Sequence, residues 1–297
     1  MATEGFDFDL FVPAGTPKAS VEIVHGMAEH RQRYTAFAKY LASRGYAVAI
    51  FDLPGHGTSC KKEDLGWFGE KNGWKTMEDK VLDIMKIVKE RWPDVPFVLM
   101  GHSMGTILTR DVLQDHSSEF DAVILSGAPN CNPAAKSGIT LAKVVRTFKG
   151  ARGHSKMLDQ MVTGNFNKKI KNAHTPVDWL SYNTENVDRY IAEPLDGFPF
   201  TIQGYIDEME GIVKMSNGTY HVTRADLPIY FFAGEEDPCT GGSEGFADSI
   251  MRLHQAGYTA IDAKRYPHMR HETLNEINRE DVWADVGNWL DSHASRQ

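Results

Sequence analysis

Cysteine is nearly absent: Cys60, Cys131 and Cys239 are the only three in 297 residues, and no two form a C-x-x-C pair. That excludes a disulfide framework or a cysteine-built zinc site and predicts reduced thiols in a cytoplasmic protein. No apolar run approaches the length that spans a bilayer. The opening Met-Ala-Thr-Glu-Gly-Phe-Asp-Phe-Asp has no basic stretch ahead of an apolar block, so no secretory signal is expected. Positive charge is not in excess either, and a net formal charge of −8 argues against nucleic acid as a partner. Neither an internal repeat nor a low-complexity linker interrupts the chain. H-E-x-x-H does not occur, and His268-x-x-His271 has no companion ligand cluster, so no metal or other cofactor is expected.

Against those absences stands one pentapeptide, Gly101-His102-Ser103-Met104-Gly105. The apolar block Val95 to Met100 precedes it and reads as a buried strand. Ile107, Leu108 and Leu113 follow at helical spacing. Strand, G-x-S-x-G and helix form the context of a nucleophile elbow, a sharp turn that lifts a serine hydroxyl above the edge of a parallel sheet. Glycine at 101 and 105 has a steric reason, because a side chain there would collide where strand and helix come close.

The remaining periodicity supports one α/β domain carrying an insertion. Phe6, Phe8, Leu10 and Val12 alternate loosely, and Val21 to Val24 forms a second strand that ends at His25-Gly26. Tyr34, Phe37, Ala38 and Leu41 share a helical face closed by Gly45. A strand over 46–51 then leads to a helix carrying Met77, Val81, Ile84, Met85 and Val88. Ala122 to Leu125 reads as another buried strand. From about 130 to 213 no buried strand is expected. Alternation resumes with a strand over 228–234, a helix near Phe246 and Leu253, a strand over 260–266 and a last helix around Val282, Val286 and Leu290. The expected architecture is a mostly parallel sheet with helices on both faces. Its core parts are 1–129 and 214–297, flanking a helical insertion at 130–213.

A serine hydroxyl is a poor nucleophile near neutral pH; a histidine must take its proton and a carboxylate must hold that histidine. In such a sheet the partners lie at the carboxyl ends of later strands, in the order serine, acid, histidine. After the 228–234 strand comes Glu235-Glu236-Asp237, and after the 260–266 strand comes Pro267-His268-Met269-Arg270-His271. Asp237 is the expected acid, ahead of Glu236 and Glu235. His271 is favoured over His268, although either can swing toward the serine. Oxyanion donors are expected at the amides of Met104, next after the serine, and Met27, in the loop after an early strand. His25 and His56 sit beside glycines in tight turns, where a structural hydrogen-bonding role is expected.

Five ordered motifs carry a family resemblance: His25-Gly26-Met27-Ala28-Glu29-His30 with Arg33-Tyr34, Asp52 to Ser59, Gly101 to Gly105, Gly234 to Asp237, and His271-Glu272. In these the chain resembles the α/β-hydrolases of the monoglyceride lipase and lysophospholipase group, the serine aminopeptidase-like hydrolases. Pro54 departs from the pattern, since many relatives carry arginine there. The resemblance implies the same acid and histidine, Asp237 and His271. It implies that 130–213 is a cap over the site and that substrates are monoacylglycerols or lysophospholipids. Small-ester, thioester and aminoacyl-amide cleavage stay open on the same triad, as does a ligand-binding protein that has kept the fold without catalysis.

The cap is dipolar. Lys143, Arg146, Lys149, Arg152, Lys156, Lys168, Lys169 and Lys171 face only Asp159 in its first part, whereas acids from Asp178 to Glu210 dominate the second. Leu141, Val144, Val145 and Phe148 fall on one helical face. This pattern suits peripheral contact with an anionic membrane or a lipid headgroup, or simply a solvated face. Candidate substrate-lining residues are His25, Phe148, Phe166, Trp179 and Tyr182. The oligomeric state is not encoded legibly.

Overall fold

The computed structural model describes residues 7–163 and 166–294; Phe6, counted above in the first strand, lies outside them. Its seven strands are β1 (Phe8–Phe11), β2 (Ser20–Val24), β3 (Ala47–Phe51), β4 (Phe97–His102), β5 (Ala122–Ser126), β6 (Ile229–Gly234) and β7 (Ile261–Tyr266). They form one sheet in the order β1-β3-β2-β4-β5-β6-β7. Only β1 runs antiparallel, pairing Phe8 with Phe51 and Phe11 with Val48 at one edge. Strands β2 to β6 are buried along their whole length, which explains why they read as unbroken apolar runs.

The pleat sends alternate residues to two cores. Ala49, Phe51, Phe97 and Leu99 face α2 (Gly73–Arg91), α3 (Met104–His116) and α8 (Gly242–Ala256). Val48, Ile50, Val98 and Met100 face α1 (Thr35–Ser43) and α9 (Arg279–His293). Edge strand β7 instead exposes charged residues. Asp262 accepts from Trp289 Nε1 at 2.7 Å and Lys264 pairs with Asp285 at 2.5 Å. Such charges discourage pairing with another chain.

Between β5 and β6 the described residues contain no strand, only α4 (Ala135–Lys149), α5 (Lys156–Val162), α6 (Thr184–Ala192), α7 (Ile202–Asn217) and short 3₁₀ turns. Position 213 falls inside α7, which continues to Asn217 and packs on α4, α3 and α2. Helix α4 meets α7 through its small residues Ala135, Gly138 and Ala142. Leu141, Val144 and Phe148 therefore point to solvent, while Val145 packs partly on the core.

Candidate active site

Ser103 occupies the turn between β4 and α3 with φ 51° and ψ −119°, a backbone conformation that a residue with a side chain holds only when its surroundings impose it. A Cβ on Gly105 would strike the carbonyl oxygens of Val24 and His25. One on Gly101 would lie 2.5 Å from the Gly105 carbonyl oxygen and from Thr109 Oγ1. Glycine at both positions lets the end of β2, β4 and α3 converge. The Ser103 N–H donates to the Ser126 carbonyl at 3.0 Å. The serine opens on a cavity of about 800 Å³ that residues between β5 and β6 help to enclose.

His271 Nδ1–H donates to Asp237 Oδ2 at 2.9 Å, and both side chains are buried. The other carboxylate oxygen, Oδ1, accepts the Cys239 amide at 2.8 Å. Burial disfavours the charged imidazole, but the adjacent Asp237 charge outweighs it and holds His271 well above the ordinary histidine value. Its ring lies between those of His102 and Trp179, with centroids 4.8 Å and 5.0 Å away. Ser103 and His271 line the same cavity. Among the described residues no hydrogen bond joins Ser103 Oγ to His271, a contact that is commonly long in free enzymes and tightens with substrate. Donor atoms of Asp237, Cys239 and His271 approach within 4.8 Å of one another, the spacing of a metal site, but two of the three residues are bonded to each other. Burial pushes the Cys239 thiol up to about 11, so it is not a ready thiolate.

Met104 is the first residue of α3, so its amide has no partner within the helix. Met27 lies in the loop after β2, and both residues border the cavity next to Ser103. Glu29 holds that loop: its Oε1 accepts the Gly26 amide at 2.5 Å and the Tyr34 hydroxyl at 2.7 Å. The Ala28 carbonyl accepts the Gly197 amide, from the segment between β5 and β6, at 2.8 Å.

Beneath this lies a buried ionic cluster. The Arg33 guanidinium contacts Glu29 Oε2 at 3.0 Å, Asp196 Oδ2 at 2.9 Å and Glu272 Oε2, and stacks 4.9 Å from the Tyr190 ring centre. One arginine thus ties the loop after β2, the segment between β5 and β6, and the residue after His271. Burial alone would raise Glu29, yet Arg33 outweighs it and holds that carboxyl at about 2. Asp196 is pushed up to about 7 by burial despite Arg33. Arg33, Glu29 and Glu272 all stand in the sequence motifs, but no spacing rule says that three loops meet on one guanidinium.

Phe166 and Trp179 line the cavity, their rings 5.0 Å apart. The other three lining candidates require correction. His25 is buried behind the loop after β2, its Nδ1–H donating to the Gly26 carbonyl at 2.8 Å and its Nε2 accepting the Leu53 amide at 3.0 Å. Phe148 is 84% exposed on the outside of α4. Tyr182 is pinned under Arg270, 3.8 Å from its ring centre, and its hydroxyl donates to Glu236. His268 is at the surface, 3.9 Å from Glu236, and Glu235 is exposed. His56 is buried among Phe68, Phe198 and Phe200, and burial lowers it to about 3, so it stays neutral. Among the cavity residues that sequence reasoning did not single out are the ionisable His102 and Glu208. His102 is buried beside Ser103 and lowered to about 4 by that burial and by His271. Glu208 of α7, whose Oε2 has no hydrogen-bond partner, is pushed up to about 8 by burial. Only the position of His102 inside the pentapeptide hinted at either.

With this geometry in view, the chain compares readily with known proteins. The family model described as serine aminopeptidase, S33, matches residues 15–278. A monoacylglycerol lipase of Mycolicibacterium smegmatis is 26% identical over 290 residues, covering 96% of this chain and 92% of the relative. A monoglyceride lipase of Mus musculus is 25% identical, covering 90% and 83%. Among solved structures, a thermostable carboxyl esterase from Bacillus coagulans in complex with glycerol superposes with a TM-score of 0.87 at 26% identity, over 97% of this chain and 94% of that one. A Saccharomyces cerevisiae monoglyceride lipase variant shares the fold, with a TM-score of 0.74 at 19% identity over 100% and 95% of the two chains. The chain belongs to the serine aminopeptidase S33 family and is a serine hydrolase of α/β-hydrolase fold.

Proposed function

We propose that the chain cleaves monoacylglycerols through an acyl-enzyme on Ser103. Ser103 Oγ attacks the ester carbonyl while His271 Nε2 takes its proton. The same nitrogen returns the proton to the leaving glycerol oxygen, and a water repeats the sequence to release the fatty acid. Asp237 holds Nδ1–H, which keeps Nε2 free as the base. The Met27 and Met104 amides receive the oxyanion. The observation that carries this reading is the buried His271–Asp237 hydrogen bond facing the same cavity as a serine in strained backbone geometry.

Apolar walls support a lipid substrate: Ile107, Val162, Phe166, Trp179, Met209 and Ile212 border the cavity. The relatives named as monoacylglycerol lipases and the glycerol in the related esterase structure support the alcohol half. In this proposal residues 130–213 act as the cap, between core parts 1–129 and 214–297. Peripheral membrane contact is supported by Leu141, Val144, Phe148, Met157 and Met161, which expose apolar surface near Lys149 and Lys156.

A panel of monoacylglycerols, lysophospholipids, short nitrophenyl esters and aminoacyl amides, compared by kcat/KM, tests the substrate. Monoacylglycerols are expected to lead, and preferential turnover of aminoacyl amides removes the proposal. Fluorophosphonate labelling, expected to be stoichiometric and lost in Ser103→Ala, tests the nucleophile. An unlabelled wild-type chain points instead to a binding protein.

A further inference from the structure

Arg110 on α3 is 3% exposed, and its guanidinium meets only uncharged oxygens. Nε donates to the Thr106 carbonyl at 3.1 Å, and one terminal nitrogen donates to Thr106 Oγ1 at 3.3 Å and to the Pro129 carbonyl at 2.8 Å. The neighbouring acid, Asp111, is turned away: it accepts from Trp74 Nε1 at 2.8 Å and from Gln114 Nε2 at 3.3 Å. Among the described residues Arg110 forms no ion pair. Burial lowers its proton affinity, but a guanidinium stays charged in proteins. A buried charge without a counter-charge is costly, and dipoles of two carbonyls offset it only in part.

A second cavity, of about 390 Å³, opens directly on this group. Arg110 and Arg252 contribute to its wall, and no aspartate or glutamate does. Arg252 sits at the solvent side, 45% exposed, and pairs with Asp248 at 2.8 Å. Gln255 and four hydroxyl residues complete the polar lining. Ser216 and Ser249 already donate to the Ile212 carbonyl and to Asn130 Oδ1, at 2.7 Å and 3.1 Å, so Thr219 and Tyr220 remain as donors. Two guanidinia, of which Arg252 is shared with Asp248, and the Thr219 and Tyr220 hydroxyls, the latter also bonded to Gln114, give the charge and donor pattern that suits an oxyanion.

We propose that this cavity binds a phosphate-sized oxyanion, with Arg110 as its buried counter-charge and Arg252 at its rim. Cys131 borders both this cavity and the one holding Ser103, and the Pro129 carbonyl gripped by Arg110 belongs to the loop lining the latter. The phosphate is therefore either free in solution, steadying that loop, or part of a lipid whose acyl ester lies at Ser103. The binding claim is independent of the proposed substrate, because it is read without turnover.

Calorimetric titration of the full chain with inorganic phosphate tests it, beside Arg110→Met and Arg252→Gln. Phosphate is expected to bind the wild type and raise its Tm, to bind Arg252→Gln roughly tenfold more weakly, and not to bind Arg110→Met. Without phosphate, Arg110→Met should melt no lower than wild type, since an apolar residue of similar length removes an uncompensated charge. A purely structural role in holding Pro129 predicts the opposite. Should Arg110→Met fail to fold, Arg252→Gln still decides. Phosphate that raises KM for a soluble ester without changing kcat assigns the site to a lipid phosphate, and phosphate that leaves KM unchanged assigns it to the free ion. No binding to the wild-type chain, or equal binding by both variants and wild type, overturns the proposal.

Discussion

Replacing Asp237 with asparagine tests the triad through its hydrogen-bond polarity rather than through bulk. In the native site Oδ1 accepts the Cys239 amide at 2.8 Å and Oδ2 accepts His271 Nδ1–H at 2.9 Å. An asparagine keeps its carbonyl oxygen toward the Cys239 amide, because an NH2 there would face another donor. Its NH2 then points at His271 Nδ1, which must become the acceptor. The ring proton moves to Nε2, and the nitrogen nearest the serine can no longer take a proton. Both hydrogen bonds survive in number, so Tm should change little. A wrong-tautomer substitution of this kind lowers kcat by about 10⁴, or ~5.5 kcal/mol at ~1.36 kcal/mol per factor of ten. The pH profile supplies an independent readout. Wild-type activity should fall as pH drops through a His271 pKa held above the ordinary value, because the protonated ring is no base. Without the Asp237 charge the main influence opposing burial is gone and only the lesser one of Cys239 is left, so any residual activity should persist to lower pH. The assay is kcat/KM on a soluble ester across pH, with the rate of fluorophosphonate labelling. Activity of Asp237→Asn within tenfold of wild type, with an unmoved profile, refutes the tautomer argument.

Three further outcomes follow from the same geometry. Arg33→Gln unpairs Glu29, Asp196 and Glu272 in the interior and should cost about 3–5 kcal/mol in urea unfolding, a deficit that shrinks at acid pH as Glu29, held at about 2 beside Arg33, takes up a proton. Glu208 is raised to about 8 in the folded chain, so the native state holds a proton that the unfolded state releases, and stability declines as pH rises between the ordinary carboxyl value and about 8. Glu208→Gln should remove that decline, ~1.4 kcal/mol per pH unit over the interval, measured as urea-unfolding free energies near either end. Phe148→Ser should weaken partition onto anionic vesicles about tenfold, as expected for losing one inserted aromatic side chain, while hydrolysis of a soluble ester stays unchanged.

Sequence alone reached whatever depends on local order. A buried strand, a glycine-framed serine and a helix are contiguous, so the turn at Ser103 is written in consecutive residues. Asp237 and His271 could be proposed from order alone because a parallel sheet delivers its strand ends, and the loops after them, to one edge. The choice of His271 over His268 matches a packing outcome: His271 is buried against Asp237, whereas His268 stands in solvent beside Glu236. Where two distant segments had to share one space, periodicity was silent or misleading. Helix α4 shows an apolar stripe, but its small residues meet α7, so Phe148 faces outward. His25 looks like a site residue and is a buried strut. The convergence of Glu29, Asp196 and Glu272 on Arg33, the unpaired Glu208 in the cavity and the uncompensated Arg110 beside a second one have no local signature. Burial and charge pairing are properties of the assembled interior, and only the tertiary structure decides which ionisable groups it encloses and which partners it gives them.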